Sequence, residues 1–131
     1  MARGMLQHIL YVEDDPDIHA VTRIALEAVG GFTLCGCHSG QKAIEAMTTG
    51  FPADVMLLDV MMPDMDGPTT LARLRELPPA ADIPVIFMTA KVQAAEVAWY
   101  KSLGALGVIA KPFDPMRLAQ QVRQLWDEAH G

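Results

Sequence analysis

Along the chain, short β-rich apolar runs alternate with longer stretches of helical period. The runs are Ile9 to Val12, Phe32 to Cys37, Val55 to Leu58, Val85 to Met88 and Leu106 to Ala110. Runs of this length, rich in β-branched and large aliphatic residues and bounded by turn residues, predict five strands. The first, third and fourth are apolar throughout, as in strands covered on both faces. The second carries Thr33 and two cysteines and reads as an edge strand.

The intervening stretches carry helix signals. Asp15-Pro16 and Asp114-Pro115 each place a capping carboxylate just before a proline suited to a first helical turn. The helix after Asp15 shows an apolar face of Ile18, Val21, Ala25 and Ala28 and stops at Gly30-Gly31. The one after Asp114 shows Leu118, Val122, Leu125 and Ala129. Three more are predicted near Gly40 to Thr48, Pro68 to Leu77 and Val92 to Leu103, the last two closed by Pro78-Pro79 and Gly104. Strands alternating with helices predict an α/β fold, a parallel sheet wound with helices on both faces.

A chain of 131 residues suits one such domain, spanning 5–129, with no separate output domain. The composition, 51% hydrophobic and 20% charged, is that of a globular fold. A net charge of −6 argues against a nucleic-acid surface, which needs cationic side chains to neutralise phosphates. No apolar run reaches the roughly 18 to 20 residues of a membrane span. The start MARGMLQHILYVEDD lacks a secretory apolar segment, so a cytoplasmic location is expected. Cys35 and Cys37 suit neither a redox pair nor a zinc site and read as small apolar residues on one strand face. The histidines His8, His19, His38 and His130 have no metal-ligand spacing and are expected at polar surface or boundary positions.

The chemistry gathers where the strands end. In an open parallel sheet, ligands bind outside the carboxyl ends of the strands. Glu13 and Asp14 follow the first strand, Asp59 the third, Thr89 the fourth and Lys111 the fifth. Two carboxylates about 4 Å apart repel by about 4 kcal/mol at an effective dielectric of 20, so the cluster calls for a cation. Mg²⁺ prefers oxygen donors and suits two or three carboxylates with a backbone carbonyl. Asp59 could then act as a nucleophile forming an aspartyl phosphate. Lys111 would offset the phosphoryl charge, and the Thr89 hydroxyl could hydrogen-bond to the group. Asp15, beside Pro16, is the helix cap, which leaves Glu13 and Asp14 as the acidic pair.

Four segments together resemble the receiver domain of two-component response regulators: ILYVEDDPDI, DVMLLDVMMPDMDG, IPVIFMTA and GALGVIAKPF. The resemblance covers essentially the whole chain. It implies a flavodoxin-like five-stranded sheet of order 2-1-3-4-5 and an Asp at the third strand end, here Asp59, that accepts a phosphoryl group. The donor would be a sensor histidine kinase or a histidine phosphotransfer protein. Glu13, Asp14, Asp59 and the backbone carbonyl of Met61 would hold Mg²⁺, with Glu13 acting through water. Thr89 would be the switch hydroxyl and Lys111 the phosphate-binding ammonium, followed by a cis bond to Pro112. Gly67 would fill a position where a Cβ is costly. A downstream effector protein would dock on the fourth helix, fifth strand and fifth helix, with Trp99, Lys101, Arg117 and Arg123 as candidate contacts. The chain would be no enzyme beyond catalysing its own phosphorylation and dephosphorylation.

Two positions depart from that pattern. Receivers usually carry Tyr or Phe three residues before the lysine, where this chain has Val108, so Trp99 or Tyr100 is expected to supply the moving or partner-contacting ring. Met61, two residues after Asp59, is a poor group for orienting a hydrolytic water, which implies slow dephosphorylation with Lys91 as the other flank. A haloacid-dehalogenase-like phosphatase would need a second Asp where Met61 stands. A flavodoxin-like cofactor binder would need a phosphate cradle where Glu13, Asp14 and Asp15 would repel phosphate. A receiver used only as a phosphorylation-independent docking module is the remaining alternative.

Overall fold

In the computed structural model, which describes residues 5–130, five strands follow the predicted runs. They are β1 (His8–Val12), β2 (Thr33–Cys37), β3 (Val55–Asp59), β4 (Val85–Thr89) and β5 (Ala105–Ala110). All pair in parallel in the order β2-β1-β3-β4-β5, so β2 is an edge strand, as its mixed composition predicts. The helices are α1 (Pro16–Arg23), α2 (Gly40–Thr48), α3 (Gly67–Arg75), α4 (Ala94–Ser102) and α5 (Leu118–His130).

Alternation along each strand divides the core into two layers. Ile9, Tyr11, Leu57, Ile86, Met88 and Ile109 face α1 and α5, where they meet Leu26, Leu118, Val122 and Trp126. Leu10, Val12, Met56, Leu58, Val85 and Phe87 face α2, α3 and α4, where they meet Met47, Leu71, Leu74 and Tyr100. β1, β3 and β4 are thus buried on both sides, which is why their sequences are almost without polar residues. Cys35 and Cys37 are free thiols on the second layer, in keeping with their apolar reading.

The face predicted for the first helix is wrong in part. Its buried residues are His19, Thr22, Ala25 and Leu26, whereas Val21 and Ile24 are 42% and 61% exposed and Ala28 also faces solvent. Two physical causes account for this. After Arg23 the helix widens into a π-helical turn over Ile24–Val29, closed by Gly30 N–H donating to the Ala25 carbonyl, which slips the 3.6-residue period. The buried Thr22 is also paired: Tyr11 Oη donates to Thr22 Oγ1 at 2.9 Å, and Thr22 Oγ1 donates to the Ile18 carbonyl at 2.8 Å. His19, expected at the surface or boundary, lies buried between the Tyr11 and His38 rings.

The helix starts behave as predicted, with one shift. The Asp15 carboxylate accepts from the Asp17 and Ile18 amides. The Asp114 carboxylate accepts from the Met116 amide, but Pro115 to Arg117 form a turn and regular helix begins at Leu118. In α5, Trp126 is buried and Ala129 exposed, because Leu118, Ala119, Val122 and Trp126 make the inward stripe. Removing buried volume should therefore cost far more than removing the misplaced face. Leu26→Ala is expected to lose about 2–5 kcal/mol of stability and Val21→Ser about 0.5 kcal/mol or less, as urea unfolding monitored by circular dichroism would read.

Candidate functional site

Parallel register brings the strand ends to one edge of the sheet. Val12 pairs with Leu58, Asp59 with Met88 and Thr89 with Ala110. The chain stays tied just beyond the strands: Glu13 N–H donates to the Cys37 carbonyl, Val60 N–H to Met88 and Lys111 N–H to Thr89, each at 2.9–3.0 Å. The segments that follow β1, β3 and β5 are thus held by a neighbour's backbone, and the side chains there start from fixed points.

Glu13 and Asp59 are almost completely buried, and Asp14 is more open to solvent. One oxygen from each of these three carboxylates lies within 4.8 Å of the others. Lys111 supplies the balancing charge. Its Nζ donates to Asp59 Oδ1 at 2.7 Å and to Glu13 Oε1 at 2.9 Å, and the Asp15 amide donates to Glu13 Oε2 at 3.3 Å. Burial pushes Glu13 and Asp59 above their ordinary values, with the Lys111 ammonium opposing the rise in both. Burial alone would lower Lys111, but the hydrogen bonds it donates to Asp59 and Glu13 outweigh burial and hold the ammonium charged. Three oxygen donors with a single lysine between them fit a hard divalent cation, whose charge would offset repulsion that Lys111 only partly relieves.

The β3–α3 loop fixes Asp59 from behind. Asp64 adopts a left-handed conformation (φ 68°), and the Asp66 carboxylate caps α3 by accepting from the Thr69 amide. Gly67 N–H donates to the Val60 carbonyl at 2.9 Å, and a Cβ on Gly67 would stand 2.6 Å from the Asp59 carbonyl. Backbone cannot yield as a side chain can, so the close approach requires glycine, as expected. The Lys111-Pro112 bond is cis, also as expected.

Thr89 is buried at the adjacent strand end, where its Oγ1 accepts from the Lys91 amide at 3.1 Å. The Met61 side chain is 71% exposed, and Lys91 also faces solvent. The structure therefore joins Glu13, Asp14, Asp59 and Lys111 in one cluster, sets Thr89 beside it and turns Met61 outward. Val108 packs on the second core layer. The two candidate rings divide: Tyr100 is buried against Phe87 at 5.1 Å between centroids, while Trp99 is 51% exposed. Lys101 and Arg117 are exposed. Arg123, grouped with them in the sequence, instead lies over the Phe32 ring and donates to the Gly30 carbonyl, beside the segment that follows the π-helical turn.

One neighbouring feature escaped the sequence. Ile18, Val21, Ala90, Phe113 and Pro115 line an open apolar groove of about 470 Å³ beside Lys111. Ile18 and Val21 read as inward-facing because the π-helical turn is not visible in a 3.6-residue pattern.

Comparison with known proteins matches residues 9–123 to the family model described as the response regulator receiver domain. The chain belongs to this family. The receiver is 35% identical over 116 residues to the transcriptional regulatory protein CseB of Streptomyces avermitilis, covering 88% of this chain and 47% of that protein. It is 31% identical over 120 residues to the response regulator SaeR of Staphylococcus aureus, covering 92% of this chain and 50% of that protein. The chain thus spans about half the length of the curated relatives it matches. Among solved structures, the Vibrio cholerae chemotaxis protein CheY4 superposes with a TM-score of 0.82 at 23% identity, covering 92% of the receiver and 99% of that chain. The N-terminal domain of a Methanoculleus marisnigri response regulator receiver protein superposes with a TM-score of 0.72 at 36% identity, covering 95% and 94%. Family and fold together place the receiver in two-component signalling. Among the described residues, no helix is long and apolar enough to cross a membrane.

The raised carboxylates give a signed prediction. For an acid held above its unfolded value, folding is most favoured when the acid is protonated, and that stability is lost as pH rises through the folded value. Asp59→Asn is therefore expected to raise the melting temperature at pH 7 by a few degrees, with the difference vanishing in acid as Asp59 itself protonates. Millimolar Mg²⁺ should raise the melting temperature of the native protein and do so less for the variant, as scanning calorimetry would show.

Proposed function

We propose that this receiver is a phosphoacceptor switch: Asp59 takes a phosphoryl group from a phosphohistidine donor, and the charged form changes its affinity for a partner protein. The observation that carries the reading is the buried Asp59 carboxylate held at 2.7 Å by Lys111, with two further carboxylates beside it. In the transfer, an Asp59 oxygen forms the new bond to phosphorus and the bond from phosphorus to the donor imidazole nitrogen breaks, its electron pair staying on the ring. Lys111 orients Asp59 and offsets charge on the phosphoryl oxygens, and Thr89 lies at the next strand end to donate its hydroxyl to the group.

Glu13, Asp14 and Asp59, with the Met61 carbonyl, would hold Mg²⁺. When bound, the ion neutralises phosphoryl charge that the carboxylates would otherwise repel. The donor is a sensor histidine kinase or a histidine phosphotransfer protein. The apolar groove along Ile18, Val21 and Phe113 supports a protein donor, since it opens beside Lys111 where the phosphoryl group must enter. The effector docks on α4, β5 and α5. Exposed Trp99 and Lys101 on α4, and a hollow lined by Val108, Gln121, Gln124 and Leu125, support that surface. No acid stands where Met61 is to protonate the leaving group of an external phosphoester, so the chemistry is confined to Asp59.

Intact-mass spectrometry after incubation with acetyl phosphate tests the reading. The native protein is expected to gain one phosphoryl group only when Mg²⁺ is present, and Asp59→Asn to gain none. Failure with acetyl phosphate and with several histidine kinases would leave only a docking module. The lifetime is a separate test. Because the Met61 thioether cannot orient a water, Met61→Asn is expected to shorten the phosphoryl half-life by about tenfold, a difference near 1.4 kcal/mol in barrier, and equal decay of the two proteins would refute it.

A further inference from the structure

Away from the acidic cluster, α1 is fastened to the edge of the sheet by an aromatic stack. The His19 ring, 4% exposed, sits between Tyr11 of β1, at 5.0 Å between centroids, and His38, just after β2, at 4.0 Å and 24° between planes. Its Nε2 is buried and has no hydrogen-bond partner among the described residues. Gly36 of β2 makes room, since a Cβ there would collide with the His19 ring and the Arg23 guanidinium. The stack leaves no place for a metal, because the lone pairs of near-parallel rings do not converge on one point.

We propose that His19 is a pH-sensitive clasp, holding α1 against β1 and β2 while neutral and loosening it when Nε2 takes up a proton. The groups that face it decide the sign. From α1 comes the Arg23 guanidinium, itself paired with Glu27 at 3.0 Å, and from the segment after β2 comes His38. From β1 comes Tyr11, whose hydroxyl is committed to Thr22 and whose burial keeps it un-ionised well above neutral pH. The neighbouring β2 residues offer only backbone, since the Cys37 side chain packs on the opposite layer of the core. Among the described residues no carboxylate is paired with the ring to receive an imidazolium charge, and a proton on Nε2 would add a buried cation near Arg23.

The protonation balance agrees with that geometry. Burial, followed by His38 and Arg23, holds His19 below its ordinary value of 6.5, against a smaller pull from the carbonyls of His19 and Cys37. A histidine depressed in the fold contributes stability that is complete above the unfolded value and is lost as pH falls toward the folded one. The consequence is regional: α1 carries Ile18 and Val21 of the groove, so acid would disturb that wall while leaving α5 in place.

The clasp does not use Asp59, so it stands or falls apart from the phosphoacceptor reading. The test is an NMR titration of the histidine rings in the native protein, with amide hydrogen exchange corrected for intrinsic rates. The His19 ring is expected to titrate below 6.5. Exchange in α1 and β2 is expected to rise about tenfold between about pH 7.5 and 5.5, while α5 changes less than about twofold. His19→Phe keeps an aromatic ring in the stack and should abolish the α1 response, whereas His130→Gln should keep it. A His19 ring titrating at or above its ordinary value, or α1 and α5 responding alike, would overturn the proposal. The ring titration needs no variant, so it decides the matter even if His19→Phe does not fold.

Discussion

Charge repulsion confined in a small, poorly hydrated volume is the constraint around which this receiver is built. Three carboxylates meet at one edge of the sheet, and two of them, Glu13 and Asp59, have almost no access to water. In solution such a cluster would disperse or take up protons. It persists because Lys111 reaches from the end of β5 and donates to both buried acids at once. The arrangement leaves the carboxylates partly compensated and their protonation raised, a state that invites further positive charge.

Holding that state requires backbone that does not yield. Strand-to-strand hydrogen bonds continue past the regular sheet to Glu13, Val60 and Lys111, so these segments cannot relax apart without breaking ladder bonds. Gly67 lets the start of α3 press against the carbonyl of Asp59, and the Asp66 cap secures that helix end. The apolar strands supply the rest: β1, β3 and β4 lie between two layers of side chains that resist any shift of one strand past another. Site and core are therefore one mechanical object.

Much of this was legible in the sequence, and the exceptions have physical causes. Continuous apolar runs mark doubly covered strands without ambiguity, and an acid, hydroxyl or lysine immediately after such a run must lie at the sheet edge. Asp15 announces its cap through local chemistry, whereas the Asp66 cap is seen only in the fold. Which face of α1 turns inward was not legible, because a π-helical turn changes the period without a distinctive residue, and because Thr22 and His19 are buried by partners distant in sequence, Tyr11 and His38. The start of α5 was misplaced by three residues for a related reason: Asp114 and Pro115 signal a turn as well as a helix. Arg123 could be seen as a surface cation, but only the fold shows that it lies over Phe32.

The wide turn over Ile24–Val29 also divides one continuous helix into two mechanical parts. The first part begins at the acidic loop and faces the edge strand, while the second seats Ala25 and Leu26 in the core layer shared with α5. A regular helix transmits a rotation at one end as a rotation at the other. One whose hydrogen-bond ladder changes spacing midway can absorb it. The segment nearest the acids and the segment anchored beside α5 are thus held by hydrogen-bond ladders of different spacing, a division hidden in a sequence that shows only an unbroken helix.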